Sequence, residues 1–278
     1  MSLENVDVLV FDLDGTLYDD DQQFFHLKEE LKKQITNDNH EKFDHDYDSI
    51  INRTHSLQVG TVYDVMRQWI IHHSNHTVTN VFDWNGAPIP QKKWPKEYEQ
   101  SFPIKTDTLF PIGDIWELLG VAAFYYKIDT KQFLQSFFAT RRYMMSDHFK
   151  MTPIQQIDAT FAKLYHTKKV VLMTNSSEED GRAILKKIGI HDYFHHYIFS
   201  AKKPIHTQEH LINIQKMYDV PYNRILSIGD NFVNEIIPAK QLNCKTICID
   251  PFQIGNPSFI DLHLENPQEL IPALHQML

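Results

Sequence analysis

Cysteine is scarce: two residues in 278. That excludes the disulfide framework of a small secreted domain. Cys244 and Cys248 flank an expected strand at 245–250. Four residues of strand span roughly 13 Å, beyond the ~7 Å between Cα atoms that a disulfide tolerates. Both are therefore expected to be small buried apolar residues. Runs of basic residues are also missing. The formal charge is −9, from 27 Lys and Arg against 36 Asp and Glu. An anionic membrane or a nucleic-acid backbone is thus disfavoured as the main partner. The longest apolar stretch, around 118–126, falls far short of the ~20 residues a membrane span needs. The N-terminal MSLENVDVLVFD lacks the basic n-region and the apolar length of a signal peptide. No internal repeat or low-complexity tract is present. The expectation is a reduced, cytoplasmic protein. With 42% hydrophobic and 12% aromatic residues, the chain can bury a sizeable core. Its length suits one large domain or two smaller ones.

Two patterns alternate along the chain. Short apolar runs at 6–11, 170–173, 197–200, 225–228 and 246–249 read as strands of a parallel sheet. Helical spacing separates them, with Ile184, Leu185 and Ile188 ahead of Gly189, and a similar stretch at 210–217. Near the C-terminus, Asn266, Pro267 and Glu269 read as N-cap, N1 proline and capping-box acid before Leu270, Ile271, Leu274 and Leu278. The fold class is α/β. Between residues 20 and 149 a second pattern intervenes. Phe24, Leu27, Leu31 and Ile35 repeat at three and four. So do Val62, Val65, Met66, Trp69 and Ile70, and then Phe133, Leu134, Phe137 and Phe138. Each reads as an amphipathic helix. The stretch 37–48, rich in His and Asp, reads as a solvated loop. Residues 75–105 show no period, and a loop of that length is unusual inside a domain. Arg53, Arg141 and Arg142 are expected on solvated faces.

The residues that follow the apolar runs carry the chemistry. The first run ends in Asp12, then Asp14-Gly15-Thr16; the second in Thr174-Asn175-Ser176-Ser177. Lys202-Lys203-Pro204 follows the third, and Gly229-Asp230, with Asn234 and Glu235, follows the fourth. Ligands of open parallel sheets bind outside the carboxyl ends of the strands, so these groups should converge. Clustered Asp12, Asp14 and Asp230 would repel one another. A divalent cation relieves that, and hard oxygen ligands suit Mg²⁺. A carboxylate beside such an ion can act as a nucleophile toward phosphorus. A second carboxyl two residues on can protonate the leaving oxygen. Lys203 and the Thr174 hydroxyl can neutralise phosphoryl oxygens.

VFDLDGTLYD, LMTNSS, the KKP step and IGDNFVNEI together resemble the four ordered motifs of the haloacid dehalogenase (HAD) superfamily. The resemblance covers residues 5–19 and 151–250. It implies a Rossmann-like core, residues 1–19 and 150–278, and an inserted, mainly α-helical cap, residues 20–149. It implies Asp12 as nucleophile and magnesium ligand. Asp14 becomes the general acid/base, with its backbone carbonyl a further ligand. Thr174 and Asn175 become the phosphate-binding pair, Lys203 the phosphate lysine, and Asp230 the remaining ligand. Lys203 is preferred to Lys202 because the family lysine precedes a proline. Glu235 stands where many relatives have Asp, reaching the metal directly or through water. The implied activity is a Mg²⁺-dependent phosphatase acting on a small phosphorylated metabolite. A sugar phosphomutase shares these residues, and a non-catalytic binding protein on a hydrolase fold would release no phosphate from any ester. Dehalogenases generally lack the second Asp, which is present here as Asp14.

Overall fold

The structure, a computed structural model, describes residues 5–18, 20–74, 77–98, 108–253 and 256–278. The chain opens with β1 (Val8–Phe11), then α1 (Gln22–Lys32) and α2 (His40–Ile51). Four short strands follow: β2 (Val62–Asp64), β3 (Trp69–Ser74), β4 (Thr77–Phe82) and β5 (Leu109–Pro111). Next come α3 (Ile115–Tyr125), α4 (Thr130–Met145) and α5 (Ile157–Thr167). The chain then alternates through β6 (Lys169–Met173), α6 (Glu178–Lys187), β7 (His196–Ile198), α7 (Thr207–Tyr218) and β8 (Ile225–Gly229). It ends with α8 (Ile237–Gln241), β9 (Lys245–Ile249), β10 (Leu262–Leu264) and α9 (Leu270–His275). Two compact units result, one of residues 1–23 and 141–278, the other of residues 24–140.

In the first unit a six-stranded parallel sheet runs β10-β9-β8-β1-β6-β7. The chain builds outward from β1 through β6 to β7, then returns to β1's other side with β8. The order therefore reverses between β1 and β8, the topological switch point of a doubly wound sheet. β1 and β8 are buried throughout, which is why they read as unbroken apolar runs rather than alternating ones. Cys244 and Cys248 are buried and free, as expected. Ser177 caps α6 by accepting from the Asp180 N–H, and three acids in the first turn suit the helix dipole.

The second unit pairs its helices with a four-stranded antiparallel sheet, β4-β3-β2-β5. Two expectations fail here. The stripe Val62 to Ile70 is not a helix but the hairpin β2–β3. Asp64 ends β2: its Oδ1 accepts from the Met66 and Arg67 N–H groups, 2.9 Å each, and its Oδ2 from the Arg67 guanidinium. An Asp side chain that captures the amides two and three residues on builds a turn instead of a helix. The stretch 37–48 is not a solvated loop; most of it forms α2, whose Phe43, Asp46, Tyr47 and Ile50 are buried. Asp46 is buried because its Oδ2 accepts from Trp84 Nε1 and the Tyr126 hydroxyl, 2.6 Å each. Within 75–105 the chain forms β4 and two short 3₁₀ turns, Gln91–Lys93 and Lys96–Tyr98; residues 75–76 and 99–105 lie outside the described residues. Residues 1–4 do so as well. Among the described residues no helix is long and apolar enough to cross a membrane.

Candidate active site

The switch point holds the acids. The Asp12 N–H donates to the Ile228 carbonyl, 2.9 Å, which extends the β1–β8 ladder by one residue and fixes Asp12 at its end. Lys203 Nζ lies 2.7 Å from Asp12 Oδ1 and 2.5 Å from Glu235 Oε1. Asp12, Asp230 and Glu235 each place a carboxylate oxygen within 4.8 Å of the others. Glu235 sits on a π-helical turn, Phe232–Ile236, initiated by Asn231, whose Oδ1 accepts from Val233 and Asn234 N–H. Its Oε2 accepts from the Asn231 N–H, 3.0 Å. A π-turn inserts a residue and re-aims the side chain it carries. A Cβ on Gly229 would stand 2.5 Å from Glu235 Cγ, so glycine there lets the side chain fold over the strand end.

These charges set one another. Burial alone would lower Lys203, but the Asp12 and Glu235 carboxylates hold it above the ordinary lysine range. Burial raises Asp12 against the pull of Lys203. Burial also pushes Glu235 up to about 8, with Lys203 opposing and Asp12 adding to the rise. Three carboxyl groups and one ammonium crowd one strand end, and without a further cation the carboxyls disfavour one another's charged forms. A small divalent cation would favour the ionised forms of all three. Oxygens around an octahedral Mg²⁺ stand about 3 to 4 Å apart, and these three lie within 4.8 Å of one another.

Asp14 lies apart from this cluster. Its Oδ1 accepts from the Tyr18 hydroxyl, 2.6 Å, and from Arg141 Nη1, 2.7 Å; its Oδ2 accepts from Ser176 Oγ, 2.6 Å. Burial would raise Asp14, but Arg141, Ser176 and Tyr18 outweigh it and hold the carboxyl below the usual range. Arg141 was expected on a solvated face. It is instead 4% exposed, because all three of its nitrogens find partners in this network. Arg142 and Arg53 are exposed, as expected.

The hydroxyl and amide of the second motif also do structural work. Thr174 Oγ1 accepts from the Ser176 N–H, 3.1 Å, as in an ST turn, which leaves its own proton to donate. The Asn175 side chain is committed to Lys203: its Oδ1 accepts the Lys203 N–H, 2.7 Å, and its Nδ2 donates to the Lys203 carbonyl, 3.1 Å. Asn175 thus fixes the lysine backbone rather than aiming its side chain at a ligand. Lys202, the competing lysine, is exposed.

Tyr18, Ser176 and Arg141 carry no site role in the motif reading. One signal marked Arg141: with Phe133 and Phe137 it falls at four-residue spacing, a charge on an apolar stripe.

A family model for haloacid dehalogenase-like hydrolases matches residues 6–243. The chain belongs to this family. No curated protein matches it. Among solved structures it is similar to YfnB of Bacillus subtilis, assigned as a HAD hydrolase and crystallised with magnesium: 15% identity, TM-score 0.54, covering 97% of this chain and 99% of that one. A protein of Thermotoga maritima assigned as a β-phosphoglucomutase matches at 13% identity, TM-score 0.51, with 98% and 100% covered. A predicted phosphoglycolate phosphatase of Haemophilus somnus matches at 12% identity, TM-score 0.52, with 98% and 99% covered. At such identities the likeness shows the fold of this HAD-family chain, not its substrate.

Gly15 couples the two carboxylate groups. It has φ +75°, and a Cβ there would stand 2.3 Å from Asp230 Oδ2. Gly15→Ala should cost about 1–3 kcal/mol from backbone strain and displace Asp230. Urea unfolding checks the first effect; a raised Mg²⁺ requirement for turnover checks the second. Wild-type values in both would show that the approach is not constrained.

Proposed function

We propose that this HAD-family hydrolase is a Mg²⁺-dependent phosphatase of small phosphomonoesters, working through an aspartyl-phosphate on Asp12. The observation that carries the reading is the division of labour between two carboxylates two residues apart. Asp12 belongs to the acidic cluster with Lys203, whereas Asp14 is held in a separate donor set. Asp12 attacks phosphorus, forming a P–O bond to its carboxylate as the P–O bond to the alcohol breaks. Asp14, which its donor set holds as a carboxylate, must first take up a proton from solvent; it gives that proton to the departing oxygen, then takes one from the water that hydrolyses the aspartyl-phosphate. The Lys203 ammonium and the Thr174 hydroxyl donate to phosphoryl oxygens. Asp12, Asp230 and the Asp14 main-chain carbonyl would hold Mg²⁺, with Glu235 acting directly or through water. When bound, the ion neutralises charge on the carboxylates and on the phosphoryl group. In this reading residues 1–19 and 150–278 are the catalytic core. Residues 20–149 are the cap that selects the leaving group.

The test is inorganic phosphate release from a panel of aryl, alkyl and sugar phosphates, with Mg²⁺ or with EDTA. Release that depends on Mg²⁺, at roughly 1–10³ s⁻¹ for the best substrate, is expected. Equal rates in EDTA, or no release from any ester, would overturn the reading. Interconversion of sugar phosphates without net release would move the chain to the mutase reading.

A further inference from the structure

The geometry assigns Arg141 as a positioning residue that orients Asp14, an inference that rests on the reading of Asp14 as the acid/base. Arg141 is almost fully buried, and its guanidinium makes three separate bonds. Nη1 donates to Asp14 Oδ1 at 2.7 Å, Nη2 to Ser176 Oγ at 2.9 Å, and Nε to Asp180 Oδ2 at 3.1 Å. Ser176 Oγ in turn donates to Asp14 Oδ2 at 2.6 Å. Arg141, Ser176 and Asp14 therefore form a closed ring, in which the rigid guanidinium fixes Asp14 Oδ1 directly and Oδ2 through the Ser176 hydroxyl. Tyr18 adds a further donor to Oδ1.

The far side of the fork is anchored too. Asp180 lies in the first turn of α6, and its N–H is bound by the Ser177 hydroxyl. The Asp180 carboxylate thus sets the guanidinium plane, and the guanidinium sets Asp14. A buried ion pair alone says little about stability, since apolar packing often serves as well. What an apolar side chain cannot supply is the direction of an oxygen. An acid catalyst depends on that direction, because its proton must meet the leaving oxygen as the P–O bond breaks.

The test uses the full-length enzyme with Mg²⁺ and phosphate monoesters of graded leaving-group pKa, from nitrophenyl to alkyl. It reads kcat/KM, which reports the steps up to transfer onto Asp12. Nitrophenolate departs without a proton; an alkoxide needs one. Arg141→Gln is expected to lower kcat/KM about 10²-fold for alkyl esters and less than about fivefold for nitrophenyl esters. Arg141→Lys should recover part of the alkyl activity. Asp180→Asn should show the same leaving-group pattern more weakly. On an Asp14→Asn background, Arg141→Gln should add nothing further. Thermal unfolding of each variant checks that it is folded, and Arg141→Lys keeps the charge if Arg141→Gln fails that check. An equal loss for every ester, or an added loss on the Asp14→Asn background, would overturn the assignment of Arg141 while leaving the phosphatase reading intact. A wild-type enzyme that hydrolyses none of the esters would sink both.

Discussion

Asp12→Asn is expected to lower phosphate release by a factor on the order of 10⁴ or more, the scale of removing a covalent nucleophile. The amide is close to isosteric, but it is a poor nucleophile and cannot form the acyl phosphate. Stability should hardly change. Burial already raises the Asp12 carboxyl, so a neutral group at this site avoids a desolvation cost. Lys203 keeps its second partner, Glu235 Oε1 at 2.5 Å. A variant that unfolds with the wild type yet releases no phosphate would isolate the nucleophile. Wild-type turnover in Asp12→Asn would remove it from the reaction.

How much of this was legible depended on burial. β1, β6, β8 and β9 begin and end within about two residues of the apolar runs that announced them, because strands covered on both faces need no alternation. The strand read at 197–200 lies at His196–Ile198. There Phe199 already belongs to the loop and packs where Gly181 leaves room. Asp12, Asp230, Glu235 and Lys203 could be picked out because strand ends converge in any such sheet. The second unit was harder. Spacing of three and four residues also arises when a tight hairpin folds one apolar side of two strands together, and Asp64 decided for the hairpin. In α2, Phe43, Tyr47 and Ile50 carried helical spacing beneath a polar composition, while the carboxylate that made the stretch look solvated is itself buried by Trp84 and Tyr126. The neighbours of Asp14 were least legible. Arg141 lies 127 residues away in sequence, and no local pattern states which carboxylate a buried guanidinium will meet.

Lys203→Met should destabilise the metal-free chain by about 3–5 kcal/mol near pH 8, the scale of leaving buried charge uncompensated. Methionine keeps much of the lysine stem's volume, so the loss reports charge rather than a cavity. The ammonium touches both Asp12 and Glu235; without it the two carboxylates face each other in a buried site. The pH dependence has a definite sign. In the wild type, burial already pushes Glu235 to about 8, against about 4.3 when unfolded. Between those values the folded chain holds a proton that the unfolded chain has released, so stability falls as pH rises. Removing Lys203 takes away what opposes that shift, and both Asp12 and Glu235 should move higher. Lys203 itself is held above the ordinary lysine range. Its own contribution is present below about pH 10.4 and persists until pH passes its folded value. The wild type therefore keeps this pairing across pH 5–8 while the variant lacks it. Glu235 is protonated in both folded chains below about pH 8, so the gap should widen chiefly above that, from pH 7 to pH 9.5, where the wild type levels off and the variant keeps falling. Urea unfolding in EDTA at the two pH values measures it. A gap that stays constant would mean the ammonium does not compensate these carboxylates. Phosphate release should fall by about 10²–10³ as well, the cost of removing a preorganised donor to a developing oxyanion.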